Sequence, residues 1–138
     1  MGKGYLIDSN IVIGYLDSKL PANGMRLMHA IIDDIPNISV ITKIEVLRFN
    51  PTGDTYQILE NFVDSSTVFD LNDLVVNETI LICRSHRIKL PDAIIAATAM
   101  VYALTLITRN VSDFQNITGL ELLNPWNVPE ILPGIGSS

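Results

Sequence analysis

The chain is short of cysteine, histidine and positive charge, and each shortage closes off a class of function. One cysteine, Cys83, among 138 residues excludes a disulfide framework within the chain. It lies in an apolar helical pattern, where a packing role is expected, and a reducing cytoplasm is the default compartment. The two histidines, His29 and His86, sit in helical patterns without ligand spacing, which argues against zinc. Lys and Arg number 9 against 15 Asp and Glu, a formal net charge of −6. That balance argues against a general nucleic-acid binder, which carries a net basic surface. It leaves room for a nucleic-acid enzyme, because clustered acids can serve metal ions while a few basic residues meet phosphates. No apolar run approaches the roughly 18 residues of a membrane span. The opening MGKGYLID lacks the charged-then-apolar shape of a secretory leader, so none is expected.

What is abundant is apolar side chain. Hydrophobic residues make up 48% of the chain and mean hydropathy is +0.33, which implies elements buried on most faces or a surface covered by a partner. The length suits one domain with a real core.

Short apolar, β-rich runs occur at 4–8 (GYLID), 38–41 (ISVI), 66–71 (STVFDL), 104–108 (LTLIT) and 120–123 (LELL). Between them lie helical patterns. SNIVIGYLD starts with Ser9 or Asn10 as cap. MRLMHAIIDDI (25–35) repeats apolar residues at Met25, Met28, Ile31, Ile32 and Ile35. TKIEVLRF (42–49) has Thr42 as cap, TYQILENFVD covers 55–64, and NDLVVNETILICRSHRI covers 72–88. The last helix runs from 91 to about 103, with Pro91 in its first turn. The strands read as continuous rather than alternating apolar runs, so both faces of the sheet are expected to be covered. A parallel sheet sandwiched by helices in one α/β domain follows. Residues 1–125 form that domain, and 126–138, rich in Pro and Gly, read as an irregular tail.

Ligands of open parallel sheets bind beyond the carboxyl ends of the strands. Four acids fall near that edge. Asp8 ends the first strand, and Glu45 lies one turn into the helix after the second. Asp92 opens the helix preceding the fourth strand, and Asp113 sits in the loop after it, with Thr108 and Asn110 nearby. Each has an ordinary explanation when taken alone. Asp92 complements a helix dipole, Asp8 bonds to loop amides, Glu45 is an exposed helix position, and Asp113 is a turn residue. Their coincidence at one edge is what points to a site. Four carboxylates in one pocket resist joint ionisation, and a divalent cation relieves that. Oxygen donors without His or Cys select Mg²⁺ or Mn²⁺. The chemistry expected of such a site is metal-assisted phosphodiester hydrolysis.

Five fragments, LIDSNIVI, ITKIEVLRF, KLPDAIIAATAM, LTLITRNVSDF and ITGLELLNP, resemble in order and spacing the PIN-domain ribonucleases. The likeness is strongest to VapC-type toxins of toxin–antitoxin pairs, and it covers residues 4–125. The resemblance implies a three-layer α/β/α fold with a five-stranded parallel sheet and Mg²⁺- or Mn²⁺-dependent cleavage of RNA. It implies catalytic roles for Asp8, Glu45, Asp92 and Asp113. Asp8, Asp92 and Asp113 serve the metal, with Asn10, Thr108 and Asn110 in support. Asn at position 110, rather than Asp, favours Asp113 as the fourth metal-site residue. Homodimerisation and inhibition by an antitoxin protein are also implied. Lys43, Arg48, Arg84, Arg87, Lys89 and Arg109 are candidates for RNA phosphates. Of these, Lys89 and Arg109 flank Asp92 and the Asp113 loop.

Readings from other classes make different demands. A non-catalytic module of the same fold would use its acidic pocket for a basic partner, without turnover. An Asp-based phosphatase expects a second Asp two residues after the first, where this chain has Asn10. A phosphoacceptor domain needs a Lys after a late strand, where this chain has Arg109.

Overall fold

A computed structural model describes residues 4–49 and 53–128. Five parallel strands form one sheet: β1 (Tyr5–Ile7), β2 (Asn37–Ser39), β3 (Thr67–Phe69), β4 (Thr105–Ile107) and β5 (Leu122–Leu123). Their spatial order is β3-β2-β1-β4-β5. The chain winds outward from β1 to β3, returns to lay β4 on the other side of β1, and ends on β5. The reversal falls between β1 and β4, where Leu6 pairs with Leu106 and Ile7 with Ile107. In such sheets the crevice at the reversal is where ligands bind.

Parallel pairing requires crossovers, and here they are helices: α1 (Ser9–Leu16), α2 (Ala22–Ile32), α3 (Val40–Arg48), α4 (Thr55–Asp64), α5 (Asp73–Ser85) and α6 (Leu90–Val101). Successive strand residues point to opposite faces, so the two cores divide by alternation. Leu6 and Leu106 pack with Val75, Ile82 and the Ala93–Ala97 stretch of α5 and α6. Ile7, Ile38 and Ile107 pack on the other face with Ile11, Val12, Met28, Val46, Leu59 and Phe62 from α1 to α4. Each fully buried Ile or Leu contributes about 1.5–3 kcal/mol. The result is the expected three-layer α/β/α fold with a five-stranded parallel sheet. The continuous apolar reading holds best for the inner strands. The edge strands β3 and β5 are only partly covered.

Several boundaries move. Val40 and Ile41, read as strand, belong to α3. Its cap is Ser39, whose hydroxyl accepts from the Ile41 amide at 3.0 Å, and not Thr42. The first helix is capped by Asp8 itself rather than by Ser9 or Asn10. α2 begins at Ala22 and ends at Ile32, three residues earlier at both ends than its apolar spacing predicts. α5 stops at Ser85, and His86 is extended. The loop after β4 contains a short helix, α7 (Val111–Phe114). Cys83 is exposed rather than packed, because its neighbour Ile82 takes the buried side of α5.

After β5, Pro125–Asn127 form a 3₁₀ turn against α2. Gly24 permits that approach, since a Cβ there would meet the Pro125 carbonyl. Trp126 packs at the margin of the second core, so the predicted irregular tail starts with three described residues, the first two in the turn, and 129–138 lie outside the described residues. No described helix is long and apolar enough to cross a membrane.

Candidate active site

Asp8 leaves the end of β1 and is only 6% exposed. Its backbone is tied on both sides: its N–H donates to the Ile107 carbonyl at 2.9 Å, and its carbonyl accepts from Ile11 and Val12, both at 3.1 Å. The carboxylate is held as firmly. Oδ1 accepts from the Ser9 amide at 2.8 Å, and Oδ2 accepts from the Thr108 hydroxyl at 2.8 Å. Thr108 is fully buried one residue beyond β4, and its own N–H donates to Leu123 of β5 at 3.0 Å. Three neighbouring strands thus converge on one carboxylate.

Ser9 extends the network. Its hydroxyl donates to Glu45 Oε1 at 2.5 Å, which joins α1 to α3. Thr42 lies one turn before Glu45 on the same side of α3. Its hydroxyl is buried and has no hydrogen-bond partner among the described residues. Asp113 is exposed on α7 and accepts from Asn110 Nδ2 at 2.5 Å. The Asn110 amide in turn donates to Thr108 Oγ1 at 3.0 Å. Asp92 stands in the first turn of α6, partly buried, and its carboxylate accepts no hydrogen bond from the described residues. Arg87, Ile88, Lys89, Asp92 and Asp113 line a cavity of about 380 Å³.

Burial is the main force that pushes the Asp8 carboxyl above its ordinary range. The bonds from Thr108 and Ser9 oppose the rise, and the charge of Glu45 adds to it. Asp92 is raised as well, first by burial and then by repulsion from Asp8, Asp113 and Glu45, with Lys89 pulling the other way. Asp92 thus feels the other three acids, and Asp8 feels Glu45. They nevertheless stop short of a closed cage: among the described residues no group of three or more His, Cys, Asp or Glu side chains is gathered so as to hold a metal ion outright. A small hard cation that keeps several waters needs only one or two direct carboxylates. The oxygen-only donor set and the repulsion at Asp92 fit such an ion.

Other predicted residues fall differently. Asn10 is exposed and makes no side-chain hydrogen bond among the described residues; Ser9 carries the contact assigned to it. Lys43 is exposed two residues before Glu45, so the two point to different sides of α3. Lys89 and Arg87 border the cavity. Arg109 lies over the indole of Trp126, 4.2 Å from the ring centroid. Ser9 and Trp126 were not legible as site residues. Ser9 reads as a cap, and its bond to Glu45 spans 36 residues.

Fold and site together define a parallel α/β/α domain with acidic side chains at its topological reversal. The chain belongs to the PIN-domain family, whose profile matches residues 5–120. No curated protein matches the sequence. Among solved structures, a chain of a toxin–antitoxin complex from Klebsiella pneumoniae is 28% identical, with a TM-score of 0.69 and coverage of 91% of this chain and 100% of that one. A chain of DNA-bound VapBC from Salmonella typhimurium is 20% identical, with a TM-score of 0.73 over 90% and 99% of the two chains. One of VapBC-1 from nontypeable Haemophilus influenzae is 24% identical, with a TM-score of 0.70 over 88% and 97%. The last two bear on the fold alone.

Proposed function

We propose that the protein is a Mg²⁺- or Mn²⁺-dependent ribonuclease and the toxin of a type II toxin–antitoxin pair. The observation that carries this reading is Asp8, buried at the topological reversal and gripped by Thr108 and Ser9, with Glu45, Asp92 and Asp113 close enough to repel. The resemblance to a toxin–antitoxin chain from Klebsiella pneumoniae supports the biological role.

Asp8, Asp92 and Asp113 would hold the cation, in part through water. The bound ion supplies an acidified water and positive charge for the phosphate. Thr108 keeps the Asp8 carboxylate oriented, and Ser9 holds Glu45 against it. Asn110 fixes Asp113 at the rim, where an incoming strand meets the site. Glu45 would orient the attacking water and accept its proton, which its bond from Ser9 at the acidic centre supports. Lys89 and Arg87, at the cavity wall, offer charge to the substrate phosphates.

A partner covering apolar surface is supported by Leu74, Leu81 and Leu90, exposed at 63, 57 and 60%. We assign these exposed leucines to contacts with an antitoxin or a second copy.

The test is cleavage of total cellular RNA in Mg²⁺ or Mn²⁺, with a chelator control and an Asp8→Asn variant. Wild-type-only, cation-dependent products are expected. Asp8→Asn should lose about a hundredfold or more, because each 1.36 kcal/mol of lost transition-state stabilisation is tenfold. A fully active Asp8→Asn protein overturns the mechanism. A folded wild type that neither binds the cation nor cleaves RNA favours a binding module with an acidic pocket.

A further inference from the structure

Arg109 lies between the two residues that organise the acids, Thr108 on Asp8 and Asn110 on Asp113. A cation so placed would be expected to fall onto one of these carboxylates. It does not. Arg109 makes no ion pair among the described residues, and its guanidinium lies 4.2 Å from the centroid of the Trp126 ring.

Trp126 is a built platform. Its amide donates to Asn124 Oδ1 at 2.9 Å, which starts the 3₁₀ turn. Its ring edge reaches α1, where a Cβ on Gly14 would lie 3.3 Å from Cη2. Pro125 beside it is buried against Gly24 of α2. The indole is thus fixed by α1, α2 and its own turn. An aromatic face attracts a guanidinium without neutralising it. A carboxylate would both neutralise it and withdraw an acid from the site.

Building on the ribonuclease reading, we propose that Trp126 is a positioning residue that keeps Arg109 off the acidic centre and presents it to a phosphate of the RNA substrate. Arg109 lies within the family match and Trp126 beyond its end at residue 120.

The test compares wild type with Arg109→Ala, Trp126→Leu, Trp126→Phe and the Arg109→Ala/Trp126→Leu double variant, using total cellular RNA and Mg²⁺ or Mn²⁺. Arg109→Ala should lose about tenfold in kcat/KM, the loss falling on KM, as expected for one charge-assisted hydrogen bond. Trp126→Leu should lose about two- to fivefold in the same way, and Trp126→Phe should recover part of it. The double variant should be no worse than Arg109→Ala alone. Both losses should shrink as salt rises, because a phosphate contact is what is missing.

A second readout leaves the indole in place. Trp126 is the sole tryptophan of the chain, so its emission reports on the pair directly. RNA added to cleavage-deficient Asp8→Asn protein should change that emission, and Arg109→Ala should abolish most of the response. Trp126 variants that melt earlier but keep the wild-type KM overturn the proposal, as does an emission insensitive to RNA in a protein whose wild type cleaves it. A wild type with no RNA cleavage removes the ribonuclease reading itself, and the proposal with it.

Discussion

Thr108 donates its hydroxyl proton to Asp8 Oδ2 at 2.8 Å across 100 residues of sequence. Both groups are buried, at 0 and 6% exposure, so the bond is sheltered from competing water. Thr108→Val keeps the shape and removes the donor. The expected cost is about 1.5–3 kcal/mol of stability, typical of a hydrogen bond to a charged group. Mn²⁺ affinity at neutral pH should weaken too, since the loss leaves burial less opposed at Asp8. Urea unfolding and Mn²⁺ titration check the two effects, and wild-type values in both would rule out the role.

Without a metal ion, repulsion and burial at Asp92 work against the fold. The folded protein holds a proton on Asp92 to higher pH than the unfolded chain, whose carboxyl ionises near the ordinary 3.8. Stability from this group is therefore complete below that value and is lost as pH rises through the folded pKa. Asp8 is shifted in the same direction. In chelator, the melting temperature should fall from mildly acid pH toward neutrality, and Asp92→Asn should flatten that fall. Mg²⁺ or Mn²⁺ should then raise the melting temperature of wild type but not of the variant. Parallel pH curves for the two proteins would contradict this account.

Ser9→Ala isolates the link between α1 and α3. Removing the donor to Glu45 should cost about 1 kcal/mol, partly offset by the better helix propensity of Ala. Cleavage should fall by about tenfold, because a base that drifts loses its geometry. Steady-state kinetics beside a denaturation curve separate the two. A loss of stability with undiminished turnover would reduce Ser9 to a structural link.

Thr42→Val should behave in the opposite sense. The Thr42 hydroxyl is buried without a partner among the described residues, so its removal should leave stability unchanged or raise it by about 1 kcal/mol. A marked drop in melting temperature would mean that the hydroxyl is satisfied in solution.

The parallel sheet and the acid quartet were legible because both are local signals: apolar runs between helical patterns, and carboxylates at the ends of those runs. Val40 and Ile41 are β-branched and read as strand, yet the Ser39 hydroxyl had already turned the chain into α3. Asp8 reads as a site candidate with Ser9 or Asn10 as the cap, while its own carboxylate caps α1 and also accepts from Thr108. Contacts that exist only after folding left no pattern to read. The bond from Ser9 to Glu45 and the stacking of Arg109 on Trp126 join segments far apart in sequence, one of them inside a stretch that looks irregular.

The central strand carries the first acid but receives its grip from a segment 100 residues further along the chain. Asp8 gains its N–H acceptor from Ile107 and its hydroxyl donor from Thr108. Both follow Asp8 by about 100 residues. During synthesis the amino-terminal half can already form helices and the β1–β2 pair, while the Asp8 carboxylate waits without its holder. Long-range closures of this kind are slow to form. A chain built in this order cannot hold its first acid in place beside the ribosome until its fourth strand has emerged.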